Sequence, residues 1–171
     1  MIRSKFQIPI TELEEPLSFR IDNLTAHELN IDIEKVLKFH KISAVVKLTK
    51  STLGILAIFD VNFMVDLLCV RCLEPSRKEF AEHAQLEYVG GSDHFSKAEK
   101  VELRPGDINR VYYTGAFIDI SVGIREALIL AIPVAPVCSD DCPGLCPLCG
   151  KNLKKGKCSC KKEKTGLFIA K

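Results

Sequence analysis

Apolar positions in this chain follow two different periods, and the change between them divides it. From Val36 onward a strand signal dominates. Phe39, Ile42, Val45, Val46 and Leu48 lead into the polar Lys50-Ser51-Thr52, and residues 53–68 are then dense in Ile, Val and Phe. Two long β-rich runs around a short polar turn predict a hairpin. Phe80, Ala84, Leu86 and Tyr88 alternate with polar residues and mark a third strand over 77–89. Upstream, 2–10 reads as an extended segment, Leu17-Ser-Phe-Arg-Ile21 as a short strand, and 25–29 as a polar connection. Downstream, 90–100 reads as a mobile loop, and 107–118 as a stretch holding a short edge strand around Val111-Tyr-Tyr113.

The period then changes to that of a helix near 119–132. Ile120, Ile124, Ala127, Leu128 and Ala131 share one face, and Asp119 or Ser121 can cap the start. Val122, Ile129, Leu130 and Ile132 fill most of the rest, so the helix is expected to be buried on several sides. Pro133 ends it. The predicted fold class is α+β: a mainly antiparallel β sheet, one principal helix, and a C-terminal cysteine-rich zinc module. The division expected is a β body over 1–137, a zinc-binding module over 138–164 and a tail over 165–171.

Composition agrees with a packed domain. The chain has 171 residues, 47% of them hydrophobic, enough for one core with a small appendage. No targeting segment is visible at the start, and the longest apolar stretch, 127–137, is too short for a bilayer and holds Pro133 and Pro136. A cytoplasmic protein with no membrane association is therefore expected. In a reducing compartment paired cysteines are more often metal ligands than disulfides.

Cysteine is where the chemistry gathers. Six of the eight lie in Cys138-Ser-Asp-Asp-Cys142-Pro-Gly-Leu-Cys146-Pro-Leu-Cys149-Gly150 and the following Cys158 and Cys160, and the other two form Cys69-Val-Arg-Cys72. Four thiolates close one tetrahedral zinc site, so eight suit two. Cys146, Cys149, Cys158 and Cys160 form a set that closes within a short loop. Cys69 and Cys72 are then left to Cys138 and Cys142. An ion there would tie the hairpin's end to the helix's end and close a loop of roughly 70 residues, which strongly restricts the unfolded chain. Zinc is the expected cofactor, two ions in structural roles. A catalytic ion would need an open position and a nearby base, and none of His27, His40, His83 and His94 has ligand spacing to a cysteine pair.

Charge adds a second feature. Eight lysines and one glutamate after residue 150 give +7, leaving −5 for the first 150 residues of a chain that totals +2. Such a tail suits an anionic partner such as RNA, through Lys151, Lys154, Lys155, Lys157, Lys161 and Lys162. The same lysines could simply offset zinc–thiolate sites, each formally −2. No phosphate loop, nucleophile turn or selected carboxylate pair is present, so no catalytic residue and no small-molecule substrate are expected. Cys69-Val-Arg-Cys72 has thioredoxin-like spacing, but that motif should open a helix, and here Pro75 and a strand follow. A thiol-redox protein is thus a weaker alternative. A zinc-ribbon transcription factor is weaker still, because no helix has a basic face for a major groove.

These residues resemble the YceD family, known as the large ribosomal RNA subunit accumulation protein. The resemblance rests on Leu68-Cys69-Val-Arg-Cys72-Leu-Glu-Pro75, on the helix from Ile118-Asp-Ile-Ser to Ala-Ile-Pro133, and on the cysteine run from Cys138 to Leu153. It implies a non-enzymatic role in accumulation or processing of large-subunit ribosomal RNA, with a ribosomal RNA precursor or a ribosomal protein as partner. A protein–protein adaptor is the competing reading.

Overall fold

The computed structural model describes residues 4–93 and 107–160. Its centre is a five-stranded sheet in the order β2-β3-β4-β5-β6, formed by Leu17–Ile21, Val36–Lys50, Ile55–Leu68, Pro75–Gly90 and Arg110–Tyr113. The first three pairings are antiparallel, and β6 runs parallel to the end of β5. A second, two-stranded sheet joins β1 (Gln7–Pro9) to β7 (Phe117–Asp119). The one α-helix among the described residues, α1, spans Ser121–Ala131.

β4 shows why the sheet has two different faces. Ile55, Ala57, Phe59, Val61, Phe63, Val65 and Leu67 are buried, and the residues between them are half-buried or exposed. A strand puts successive side chains on opposite faces, so one face of β4 is core and the other is open. The core face receives α1 through Gly123, Ile124, Ala127 and Leu128. Gly123 sets how close the helix can come: a Cβ there would lie 2.3 Å from Phe59 Cε2. Tyr88 fixes the other side, its hydroxyl donating to the Asp119 carbonyl at 2.8 Å. The Asp119 carboxylate accepts the Ser121 N–H at 2.9 Å and so serves the helix start.

The hairpin, its turn and the third strand follow the alternation of the sequence. α1 departs from it. Leu130 is 83% exposed, and Ile129 is also exposed, so the helix buries one face and not several. Of the apolar residues on its remaining sides, Ile132 reaches the core and Val122 is half-buried, while Ile129 and Leu130 face outward. The 25–29 connection is more than a linker, because Leu24, Leu29 and Ile31 beside it enter the core. Of the loop read over 90–100, residues 94–100 lie outside the described residues. So does the 165–171 tail.

Two candidate metal centres

Cys69 and Cys72 sit where β4 turns into β5. The Cys69 N–H donates to the Glu74 carbonyl at 2.9 Å, and the Leu73 N–H donates to the Cys69 carbonyl at 2.9 Å. Residues 146–151 repeat the pattern. The Cys146 N–H donates to the Lys151 carbonyl at 2.8 Å, and the Gly150 N–H to the Cys146 carbonyl at 2.9 Å. The residue after each second cysteine is left-handed, Leu73 at φ 57° and Gly150 at φ 69°. These are two copies of one backbone knuckle, which aims both sulfurs of a Cys-x-x-Cys pair to the same side. No helix opens at Cys69, unlike a thioredoxin-type motif; β5 begins at Pro75.

The eight thiols gather into two sets of four. Cys69, Cys72, Cys138 and Cys142 form one, and Cys146, Cys149, Cys158 and Cys160 the other, with all sulfurs of a set within 4.8 Å of one another. Cys69 and Cys142 sulfurs are 3.9 Å apart, as are those of Cys72 and Cys138, and the Cys146–Cys158 pair is 3.4 Å apart. A disulfide would need about 2.0 Å. A tetrahedral ion with metal–sulfur bonds near 2.3 Å would put its sulfurs about 3.8 Å apart. The donor sets fit such an ion, and each could hold one. No histidine or carboxylate joins either set among the described residues. In the first set Cys69, Cys72 and Cys142 are buried; in the second only Cys146 is, and Cys149 is exposed.

Both sets contain thiols prepared for ionisation, Cys69 and Cys138 in the first and Cys146 in the second. Burial pushes Cys69 up, but backbone N–H groups of Cys72, Cys138 and Arg71 overcome this and bring it down to about 6. Cys146 falls to about 6 through the N–H groups of Cys149 and Leu148. The Cys142 thiol lowers Cys138 by hydrogen bonding to it, whereas Cys72 and Cys160 go the other way. The Glu74 N–H favours a Cys72 thiolate, but burial and the three surrounding thiols push Cys72 up to about 12. Cys149 and burial raise Cys160 likewise, also to about 12. Four like charges this close repel, so full deprotonation calls for a cation among them.

The two centres are clasped together. The Leu145 N–H donates to the Arg71 carbonyl at 3.0 Å, and Arg71 Nη1 donates to the Asp140 carbonyl at 2.8 Å. Asn152 Nδ2 reaches the Cys72 carbonyl at 3.2 Å and Glu74 Oε1 at 3.3 Å. Gly144, at φ 72°, lets the chain pass Arg71: a Cβ would lie 3.0 Å from its carbonyl oxygen. The cysteine-rich segment is thus folded onto the β4–β5 corner instead of hanging from it. Sequence reasoning passed over Asn152, Gly144 and Leu73. A signal existed for Leu73 alone, in the shared Cys-x-x-Cys spacing.

The tail lysines have varied surroundings. Lys154 Nζ lies 3.6 Å from Cys138 Sγ, which raises its pKa through the thiolate's charge. Lys155 pairs with Glu74 at 2.6 Å. Lys151 donates to the Lys157 carbonyl at 3.1 Å, and the Lys157 side chain is exposed. Lys161 and Lys162 lie outside the described residues. His40 and His83 join neither tetrad and are bonded to Asp66 and Asp60.

Comparison with known proteins supports the same pieces. Uncharacterised proteins of Mycobacterium bovis and Mycobacterium tuberculosis are 37% identical over 82 residues, which is 48% of this chain and 37% of theirs. A large ribosomal RNA subunit accumulation protein YCED homolog 1, chloroplastic, from Arabidopsis thaliana is 46% identical over 46 residues, 27% of this chain and 14% of that one. The matched segment therefore spans little more than a third of the mycobacterial chains and less of the plant one. No solved structure matches. No helix among the described residues is long and apolar enough to cross a membrane. The model of the family described as large ribosomal RNA subunit accumulation protein YceD matches residues 58–168, which takes in most of β4, all of β5, the helix and both cysteine clusters, and the chain belongs to that family.

Proposed function

We propose that this chain is a non-enzymatic factor that supports accumulation or processing of large-subunit ribosomal RNA, and that two structural zinc ions hold its shape. The observation that carries the reading is the pair of all-cysteine tetrads, clasped at one corner of a sheet, in a chain of the YceD family. Zinc suits them because it takes four thiolates in a tetrahedron and carries no redox chemistry of its own. Bound zinc would supply cross-linking at each centre. The chain's residues do the rest: the knuckles aim the sulfurs, Asn152 and Leu145 hold the two centres together, and Lys154 offsets thiolate charge. A closed four-sulfur set leaves no position for water, which supports a structural and not a catalytic ion.

The working partner is a ribosomal RNA precursor or a ribosomal protein, in the cytoplasm. The adaptor reading also has an observation in its favour, since Lys154 and Lys155 face Cys138 and Glu74 and so serve the metal module itself. Depleting the chain from its host and measuring the ratio of large- to small-subunit ribosomal RNA tests the proposal. A fall in that ratio, restored by the wild-type chain but not by Cys142→Ser, is expected. An unchanged ratio would remove the ribosomal reading.

A further inference from the structure

We infer that the open face of the sheet, along β3 and the adjoining β2, is the surface that engages the RNA backbone; this deepens the ribosomal RNA reading and rests on it. Between Glu34 and Asp60 the chain carries Lys35, Lys38, Lys41, Lys47 and Lys50 and no acidic residue. That run is strongly basic within a body whose first 150 residues total −5.

The register shows where these lysines go. Ile42, Ala44, Val46 and Leu48 are buried on the face that receives α1. Lys41 and Lys47 alternate with them, opposite Met64 and Ile58, and Lys38 stands opposite Asp66 across the bulge at 39–41. All three are exposed on the face turned away from the helix. Arg20 joins them from β2, opposite Val45. Lys35 and Lys50 are set apart: Lys35 donates to the Val134 carbonyl, and Lys50 ends the strand. At about 3.3 Å per residue, the row from Lys38 to Lys47 runs roughly 30 Å, long enough to meet several phosphates.

Beside the row lies a concavity of about 360 Å³ lined by Arg20, Lys41, Ser43, Asn62, Met64 and Glu79. Its hydroxyl and amide groups suit sugar and base edges. Three acids near this face have partners, two of which belong to the proposed surface: Asp60 is bonded to His83 at 2.8 Å and lies 3.7 Å from Lys47, Asp22 holds Arg20 at 2.8 Å, and Asp66 is bonded to Arg77 at 2.8 Å and His40 at 2.5 Å. Glu79 stands on the far wall, on β5. Positive charge therefore follows β3, with Lys38 and Lys41 at its centre, while Asp60 and Asp66 on β4 and Glu79 on β5 line the other side. A polyanion would track along β3 and not across the sheet. Phe63, Phe80 and Ala81 complete the lining, and RNA is favoured over an acidic protein because the lysine row runs the length of β3 at a spacing that suits backbone phosphates.

The test uses the full-length, metal-loaded chain and a transcribed large-subunit ribosomal RNA fragment, with binding followed by fluorescence anisotropy between about 50 and 200 mM salt. One variant carries Lys38→Gln, Lys41→Gln and Lys47→Gln; a second carries Lys151→Gln and Lys157→Gln. The first should bind at least about tenfold more weakly, with a log–log salt slope shallower by about 2, as expected for three lost single-strand phosphate contacts. The second should stay within about twofold of wild type. All five positions are exposed, so metal content and the unfolding midpoint should match wild type in both. If the triple variant keeps wild-type affinity and slope, or the loss follows the second variant, the sheet assignment is overturned while the ribosomal reading stands on its depletion test. An acidic peptide that binds this face where the RNA fragment does not would also overturn it.

Discussion

Single residues hold this molecule in two ways, by being small and by bending the chain. Gly123 is small so that α1 can lie on Phe59. Gly123→Ala should cost about 1–3 kcal/mol by overpacking, read as a lower urea midpoint, and Phe59→Leu in the same chain should recover part of it. Gly150 and Leu73 bend the chain at equivalent points of the two knuckles. Gly150→Ala should cost about 1–2 kcal/mol, the penalty of a side chain in the left-handed region. Leu73→Gly should be tolerated, since it relieves that penalty where Leu73 is exposed and packs on little. Gly150 was legible in the sequence as the glycine after a cysteine pair. Leu73 was legible only through the Cys-x-x-Cys spacing it shares with the second knuckle, because leucine itself gives no hint of positive φ.

Elements were legible in proportion to their length. The 15-residue β3 and 14-residue β4 repeat their period often enough to be read, and Leu17–Ile21 appears where the alternation puts it. β1 and β7 have three residues each, too few for a period, and they meet across the whole chain. The turn at 25–29 carried a missed signal. Thr25 and Glu28 form a reciprocal pair, with the Thr25 N–H reaching Glu28 Oε2 at 2.9 Å and the Glu28 N–H reaching Thr25 Oγ1 at 3.2 Å, as in a helix capping box. Lys5 adds an ion pair at 2.5 Å. The Lys5 ammonium and the Thr25 groups together hold the Glu28 carboxyl down to about 2, from 4.5. Because the folded value is the lower one, this stabilisation is present above about pH 4.5 and is lost as pH falls toward 2. Glu28→Gln should therefore melt below wild type at pH 6, and the gap should narrow below about pH 4.5 and close only as pH approaches 2. Any ion held by the thiolates would leave both proteins alike in acid, so the difference between them isolates Glu28.

At the scale of the whole molecule, the sequence reading grouped the cysteines by loop closure, and the fold brings together the same two sets. The clasp between the sets was not legible, because it depends on Asn152 meeting Cys72 and Glu74, 80 and 78 residues away. That clasp makes the centres unequal. The first set crosses from the β4–β5 corner to the segment after α1, and the second rests on it. Cys146→Ser should lose one ion and leave the sheet and helix intact by circular dichroism. Cys69→Ser should lose its own ion and also speed release of the other to a chelator, because the Arg71, Cys72 and Glu74 groups that hold Leu145 and Asn152 would no longer be fixed.

Metal analysis of the freshly purified chain is the most direct test that thiol cages shape this scaffold. Two zinc ions per chain are predicted, falling to one in Cys146→Ser, with chelation unfolding the 138–160 region. A chain that is free of metal as isolated, and yet melts cooperatively at the same temperature with and without added zinc, would contradict the account.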